Sequence, residues 1–419
     1  MDPKTGISRN PISATCVSQL HMEMGKPLLW PLLGKSGNEE GERYDKEAER
    51  HSHWTTTEWL EKHKYAVELH NVTTVDGYQL LLHRIPKPGK QPVLLVHGLL
   101  TSSLAWVLLG PGKSLGFLLA ERNYDVWLAN LRGSPYARSH TQFSTSSADY
   151  WSFSFHEWGA YDLTAIMDRI WNETSFQKLL LIGHSQALNA FLVLCSMHPE
   201  YNERILLMQA LAPIVQLHDL VRFKSADVRR VMRFVKAKLK AKSYELLPAG
   251  YLRKKCLNHN SDERQECLKI MRTFAGNGRY SKSIEPLLYG QLLQGGSPKE
   301  IKHLQQLWAS GDFVAFDYGV EGNRKYYNNS VEPYNYNLSL VTAPLLLYFG
   351  ESDAIATPEG VHSIYSRLLG TVVGVYRITA DKFNHFDFLC ANDVKTLVND
   401  RVIAMMEQHM AGKLPYVIE

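Results

Sequence analysis

Short apolar runs alternate with amphipathic segments along most of this chain. Val67–Thr74 and Tyr78–Ile85 flank Asp76-Gly77, which predicts a β-hairpin around a tight turn. Pro92–Val96 is wholly apolar, as expected of a strand buried on both faces. Ser114–Arg122 reads as a helix, Tyr124–Ala129 as a strand, and Tyr161–Asn172 as a helix again. The apolar run Leu179–Ile182 then leads through a turn into a long apolar segment, so strand is followed by helix. Near Pro213 the alternation stops. From His218 to about Tyr327 the pattern is helical, charged and rich in loops. Strand character resumes at Ala343–Phe349, followed by a helix-like Val361–Leu369, a strand over Val372–Ile378 and a last helix from Val394 to His409. Strands alternating with helices predict an α/β fold, a mainly parallel sheet flanked by helices, here interrupted by a helical insertion. The expected division is an irregular segment over 1–52, a first core part over 53–213, the insertion over 214–335 and a second core part over 336–419.

The sharpest local signal is Leu179-Leu-Leu-Ile-Gly-His-Ser-Gln-Ala187. A small-X-Ser-X-small turn between strand and helix pushes one serine, Ser185, out at the end of a sheet. Gly183 and Ala187 lie where strand and helix nearly collide, and a β-branched residue at either place would clash. The alternative is an ordinary strand-to-helix turn with a capping serine. A serine hydroxyl needs an adjacent base and an acid that orients it, and with this elbow the chain order is Ser, Asp or Glu, His. Asp353 fits the acid. It follows the strand ending at Gly350, and the carboxyl ends of parallel strands line the cleft of such sheets. Glu351 is its rival. His385 fits the base, chosen from 17 histidines by its place after the next strand. Asp381 and Asp387 are further acids, though neither follows a strand directly. An oxyanion site needs two backbone N–H groups; Gln186, after the serine, and Leu99, in the turn His97-Gly98-Leu99 after Pro92–Val96, are placed to supply them.

Together these stretches closely resemble the acid lipases: the gastric, lingual and lysosomal acid lipases and their insect relatives, with the overall spread most like the insect branch. The matching segments are Thr74–Pro86, Val96–Leu100, Asn123–Gly133, Gly183–Gln186, Tyr334–Leu338 and Asn384–Phe388, spread over Trp54–Gln408. The resemblance implies an α/β-hydrolase core under a helical cap. It implies a triad of Ser185, Asp353 and His385, oxyanion N–H groups from Leu99 and Gln186, and hydrolysis of triacylglycerols or sterol esters without metal or cofactor. It also implies a secreted or lysosomal location. The chain departs from the family pattern at Ala187, where glycine is usual and small hydroxyl residues rather than Leu188-Asn189 follow. It departs again at Ala354-Ile355, where a bulky apolar pair is usual. Binding of lipid without turnover is the competing reading, and the complete Ser/Asp/His order argues against it. Epoxide and haloalkane cleavage usually place an acid at the elbow, so Ser185 speaks against them.

Composition adds boundaries to this picture. With 419 residues and 45% hydrophobic residues, a large core is affordable, and a net charge of +4 carries no nucleic-acid signature. No run of about 18 apolar residues predicts a membrane span. The apolar patch Pro27–Leu33 is short, broken by Pro31 and far from Met1, so no signal peptide is evident. Of five cysteines, Cys256 and Cys267 flank a short polar loop that a disulfide would close, and the resemblance makes them the counterpart of a cap disulfide. Cys195 and Cys390 read as buried thiols, and no Cys/His spacing suggests a metal site. Asn-X-Ser/Thr triplets at Asn71, Asn172, Asn328 and Asn337 are candidate glycan sites. Segment Arg222–Lys242 carries nine basic residues and one acid around an apolar stripe of Val228, Val231, Met232, Val235 and Leu239. Either it meets an anionic lipid surface transiently, or it packs on the core with a solvated basic face, the ordinary pattern of a surface helix.

Overall fold

The computed structural model describes residues 53–214, 244–248, 250–256, 292–414 and 417–418, together with 262, 264, 265, 267, 278–280, 284, 288 and 290. The segment over 1–52 and the basic stretch Arg222–Lys242 lie outside the described residues, as does Cys16.

Among the described residues ten strands form one sheet: β1 (Glu68–Thr73), β2 (Tyr78–Ile85), β3 (Pro92–Val96), β4 (Asp125–Leu128), β5 (Ser139–His140), β6 (Leu179–His184), β7 (Ile205–Leu211), β8 (Leu345–Gly350), β9 (Val372–Ile378) and β10 (Val417–Ile418). The order is β1-β2-β4-β3-β6-β7-β8-β9-β10, with β5 paired to β2. Pairing is antiparallel among β1, β2, β4 and β5 and parallel from β4 through β10. The central strands explain their own composition. Every residue of β3, β6 and β8 is buried, because helices cover both faces and no position may be polar without a partner. β1, at the edge, keeps an exposed face. Gly77 closes the β1–β2 hairpin at φ +98°, a conformation that favours glycine.

β7 is a strand that the alternation of the sequence does not reveal. Its run Ile-Leu-Leu-Met-Gln-Ala-Leu is interrupted by Gln209 and falls just where the strand–helix rhythm stops. In the fold Gln209 is fully buried and satisfied: its Nε2 donates to the Val402 carbonyl at 3.0 Å, and the Tyr348 hydroxyl donates to its Oε1 at 2.6 Å. The short β5 and β10 are also not apparent from periodicity. The helix expected over Tyr161–Asn172 begins earlier, in a capping box of Ser154 with Glu157, and runs through a π-turn at Trp158–Asp162 into Leu163–Thr174. The last helix likewise starts with a π-turn, Lys395–Asn399, before Asp400–Met410.

After β7 the chain leaves the sheet, and it returns at β8. The described part of that excursion includes helices Tyr251–Cys256, Pro298–Ser310 and Gly319–Tyr326. Cys256 and Cys267 are disulfide-bonded within it, and both are buried. Cys195 and Cys390 are free and buried. No helix among the described residues is long and apolar enough to cross a membrane.

Candidate active site

Strand order reverses between β3 and β6: β4 lies on one side of β3 and β6 on the other. Open α/β sheets form their binding crevice at such a switch, outside the carboxyl ends of the strands. The loops after β3, β6, β8 and β9 therefore converge there, carrying Leu99, Ser185, Asp353 and His385.

Ser185 sits at φ +58°, the left-handed region that L-residues avoid. Such a conformation costs about 1–3 kcal/mol and persists where the surroundings hold it. Here the surroundings are tight. A Cβ on Gly183 would lie 2.7 Å from the Ala187 methyl and 2.9 Å from Met208 Cε, and one on Gly98 would lie 2.9 Å from Ser185 Cβ. Gly183 and Gly98 thus let strand, elbow and neighbouring loop close on each other. Ala187 is buried and fits, because its methyl occupies the space that Gly183 leaves.

His385 joins the other two groups. Its Nε2 lies 2.9 Å from Ser185 Oγ and its Nδ1 lies 3.0 Å from Asp353 Oδ2. An acceptor on the Nδ1 side holds the proton there and leaves Nε2 free to take one from the serine. Asp353 is fully buried, and its other oxygen accepts the Ile355 and Ala356 N–H groups at 2.8 and 2.9 Å. At Ala354-Ile355 it is thus the backbone, not side-chain bulk, that fastens the acid. Its rivals are occupied elsewhere. Glu351 is exposed and pairs with Arg377, and Asp381 is exposed beside Lys382. Asp387 accepts the Asn384 and Arg279 N–H groups at 2.8 Å each, tying the histidine loop to the insertion. Burial pushes the Asp387 carboxyl up to about 6.

The loop after β3 is braced on its carbonyl side. His97 Nε2 accepts the Leu131 N–H at 3.0 Å, so Nδ1 carries the proton and donates to the Gly98 carbonyl at 2.8 Å. The Thr101 hydroxyl donates to the same oxygen at 2.8 Å. That oxygen belongs to the peptide whose N–H is Leu99, and anchoring one end aims the other. Burial pushes His97 down to about 4, so it stays neutral. His184 is also held neutral, first by burial and then by His385, and its Nε2 lies 3.0 Å from the His385 carbonyl. Among the described residues, neither the Leu99 nor the Gln186 N–H donates to a protein acceptor. The site holds no cluster of metal-ligating residues, and none occurs among the described residues.

Residues 56–110 match a family model described as a partial α/β-hydrolase lipase region, and 91–390 match the α/β hydrolase fold. Lipase 1 of Drosophila melanogaster is 37% identical over 358 residues, 85% of this chain and 79% of that protein. The gastric triacylglycerol lipase of Bos taurus is 30% identical over 357 residues, 82% of this chain and 89% of that one. Lipase member K of Homo sapiens is 30% identical over 362 residues, 83% and 89%. The chain belongs to the acid lipase family of the α/β-hydrolases. It is a hydrolase of carboxylic esters of the serine type.

Site geometry adds Glu300 and His97 to the residues singled out from sequence. Gln186 is fully buried, and its Nε2 donates to Glu300 Oε1 at 2.8 Å. Ser297-Pro-Lys-Glu300 is a capping box that opens the helix Pro298–Ser310, a pattern visible in the sequence, but the pattern does not say what the carboxyl touches. All four sequon asparagines, Asn71, Asn172, Asn328 and Asn337, are exposed.

Proposed function

We propose that the chain hydrolyses lipid esters, triacylglycerols or sterol esters, through Ser185, His385 and Asp353. The observation that carries this reading is the continuous hydrogen-bonded path from Ser185 Oγ through both His385 nitrogens to a buried Asp353. Ser185 Oγ attacks the ester carbonyl carbon as its proton passes to His385 Nε2. Charge that develops on the carbonyl oxygen is taken by the Leu99 and Gln186 N–H groups. The ester C–O bond then breaks, and His385 returns the proton to the departing alcohol. Water repeats the sequence on the acyl-serine and frees the fatty acid. Asp353 keeps the imidazole in the tautomer this needs and stabilises its charged form. The curated relatives named as triacylglycerol and other lipases support a lipid ester as substrate.

In the same reading the insertion over 214–335 is a cap on the crevice. The nine basic residues of Arg222–Lys242 give it a charge suited to an anionic lipid surface. The disulfide and four exposed sequons support passage through a secretory compartment with glycans at Asn71, Asn172, Asn328 and Asn337. Release of fatty acid from emulsified triacylglycerol and from a sterol ester, by wild type and by Ser185→Ala, tests the function. Wild type is expected to release acid and the variant none. Lipid binding without release by the wild type would instead make the chain a non-catalytic relative.

A further inference from the structure

A short strap of the insertion, Gln294–Glu300, touches both elements assigned to the oxyanion. At its start the Gln294 N–H donates to the Leu100 carbonyl at 2.8 Å, one residue past Leu99. Gly295, at φ +78°, passes so close to the loop after β4 that a Cβ there would fall 2.0 Å from the Gly133 carbonyl oxygen. At its end Glu300 Oε1 accepts from Gln186 Nε2, while Oε2 accepts the Ser297 N–H at 2.8 Å. Gln186 and Glu300 are both 0% exposed.

The two oxyanion peptides differ in how they are held. The Gly98–Leu99 peptide has two side-chain donors on its carbonyl at 2.8 Å. Among the described residues, the Ser185–Gln186 peptide carbonyl accepts only the Leu188 and Ile214 N–H groups, at 3.3 and 3.5 Å, near the limit for a hydrogen bond. Its tight anchor is instead the Gln186 side chain, and that anchor reaches across to the insertion.

We infer that Glu300 is a positioning residue for the oxyanion pocket: by pinning the Gln186 side chain from the insertion, it fixes the direction of the Gln186 backbone N–H. This rests on the Ser185 reading and extends it. The cap then completes the catalytic geometry as well as covering the crevice. Its protonation state suits the task. Burial, with the Glu157 and Asp162 carboxylates adding to it, pushes Glu300 up to about 8. A neutral carboxylic acid is therefore the form at and below neutral pH. Gln186 Oε1 is buried with no partner among the described residues, so an amide turned half-way round would accept the Glu300 proton and keep the link. A glutamine at 300 offers the same donor and acceptor and still serves the capping box.

Steady-state kinetics on a soluble short-chain p-nitrophenyl ester separate this role from a structural one. Gln186→Ala and Glu300→Ala should each lower kcat about tenfold with KM within about twofold, less than the loss of a whole oxyanion donor. The double variant should be no worse than either single, because the two act as one unit. Glu300→Gln should restore kcat to within about threefold of wild type. Should Glu300→Ala fail to fold, Glu300→Asp, one methylene shorter, takes its place against Glu300→Gln. Losses that multiply in the double variant, or variants with lowered thermal stability and unchanged kcat, overturn the inference. An active, Ser185-dependent wild type beside an unimpaired Glu300→Ala would refute this role alone, whereas a wild type without Ser185-dependent turnover would refute the reading beneath it.

Discussion

Two buried polar clusters stand in this molecule on opposite terms. In one, Arg132 lies between Asp76 and Asp162. Its guanidinium meets Asp76 at 2.6 and 2.9 Å and Asp162 at 2.7 and 2.8 Å, and its backbone N–H donates to Asp162 as well. All three guanidinium nitrogens meet an acid, and the result clamps the Asp76-Gly77 turn of the hairpin to the loop after β4. In the other, Asp353, His385 and Ser185 form a line that ends on the Ser185 hydroxyl, the proposed nucleophile. The first is a lock in which every guanidinium nitrogen is engaged by an acid. The second is directional: each group holds the next, and in the proposed function the last is the one that reacts. On the proposed reading, what separates the two clusters is that the second chain of partners stops at a nucleophile.

The comparison breaks most visibly at its two centres. His385→Ala should lower kcat by on the order of 10^4- to 10^6-fold, as for other triad members, with little change in thermal stability. Arg132→Ala should do the reverse, costing about 3–5 kcal/mol of stability because the buried Asp162 carboxylate and the half-buried Asp76 carboxylate lose their counter-charge. Esterase assay beside denaturant unfolding of both variants decides it. A His385 variant that keeps activity, or an Arg132 variant as stable as wild type, would erase the distinction.

A smaller effect concerns pH and lies at the border between core and insertion. Folded Glu300 titrates at about 8, pushed up chiefly by burial, and the unfolded chain releases that proton near the ordinary value of about 4.3. The folded state therefore binds the proton more tightly, so this stabilisation is full below about pH 4 and is lost as pH rises through 8. Measured against Glu300→Gln across that range, wild type should lose ground steadily as the pH is raised. A difference between the two proteins that does not move with pH would show that Glu300 is ionised throughout.

How much of this was readable in advance differs between the same regions. The hairpin, the buried strands and the order Ser185, Asp353, His385 are legible because periodicity and chain order carry them. Asp353 could be preferred over Glu351 by its position, but only the fold turns Glu351 toward Arg377. β7 escaped because a buried glutamine interrupts its apolar run, and its partners Val402 and Tyr348 are far along the chain. The strap escaped for a related reason. Its capping box is written in Ser297 and Glu300, yet the contact to Gln186 spans more than a hundred residues, and no local pattern encodes it. The Arg132 cluster is likewise three separate positions until the hairpin and the loop after β4 meet.

The central claim is that Ser185 is a nucleophile activated by His385. Its most direct test is reaction of the folded protein with a fluorophosphonate probe, with the adduct located by peptide mass. The account predicts one adduct, on Ser185, formed rapidly by wild type, greatly slowed in His385→Ala and absent in Ser185→Ala. Folded wild type that takes up no probe, or takes it up at another residue, would contradict it.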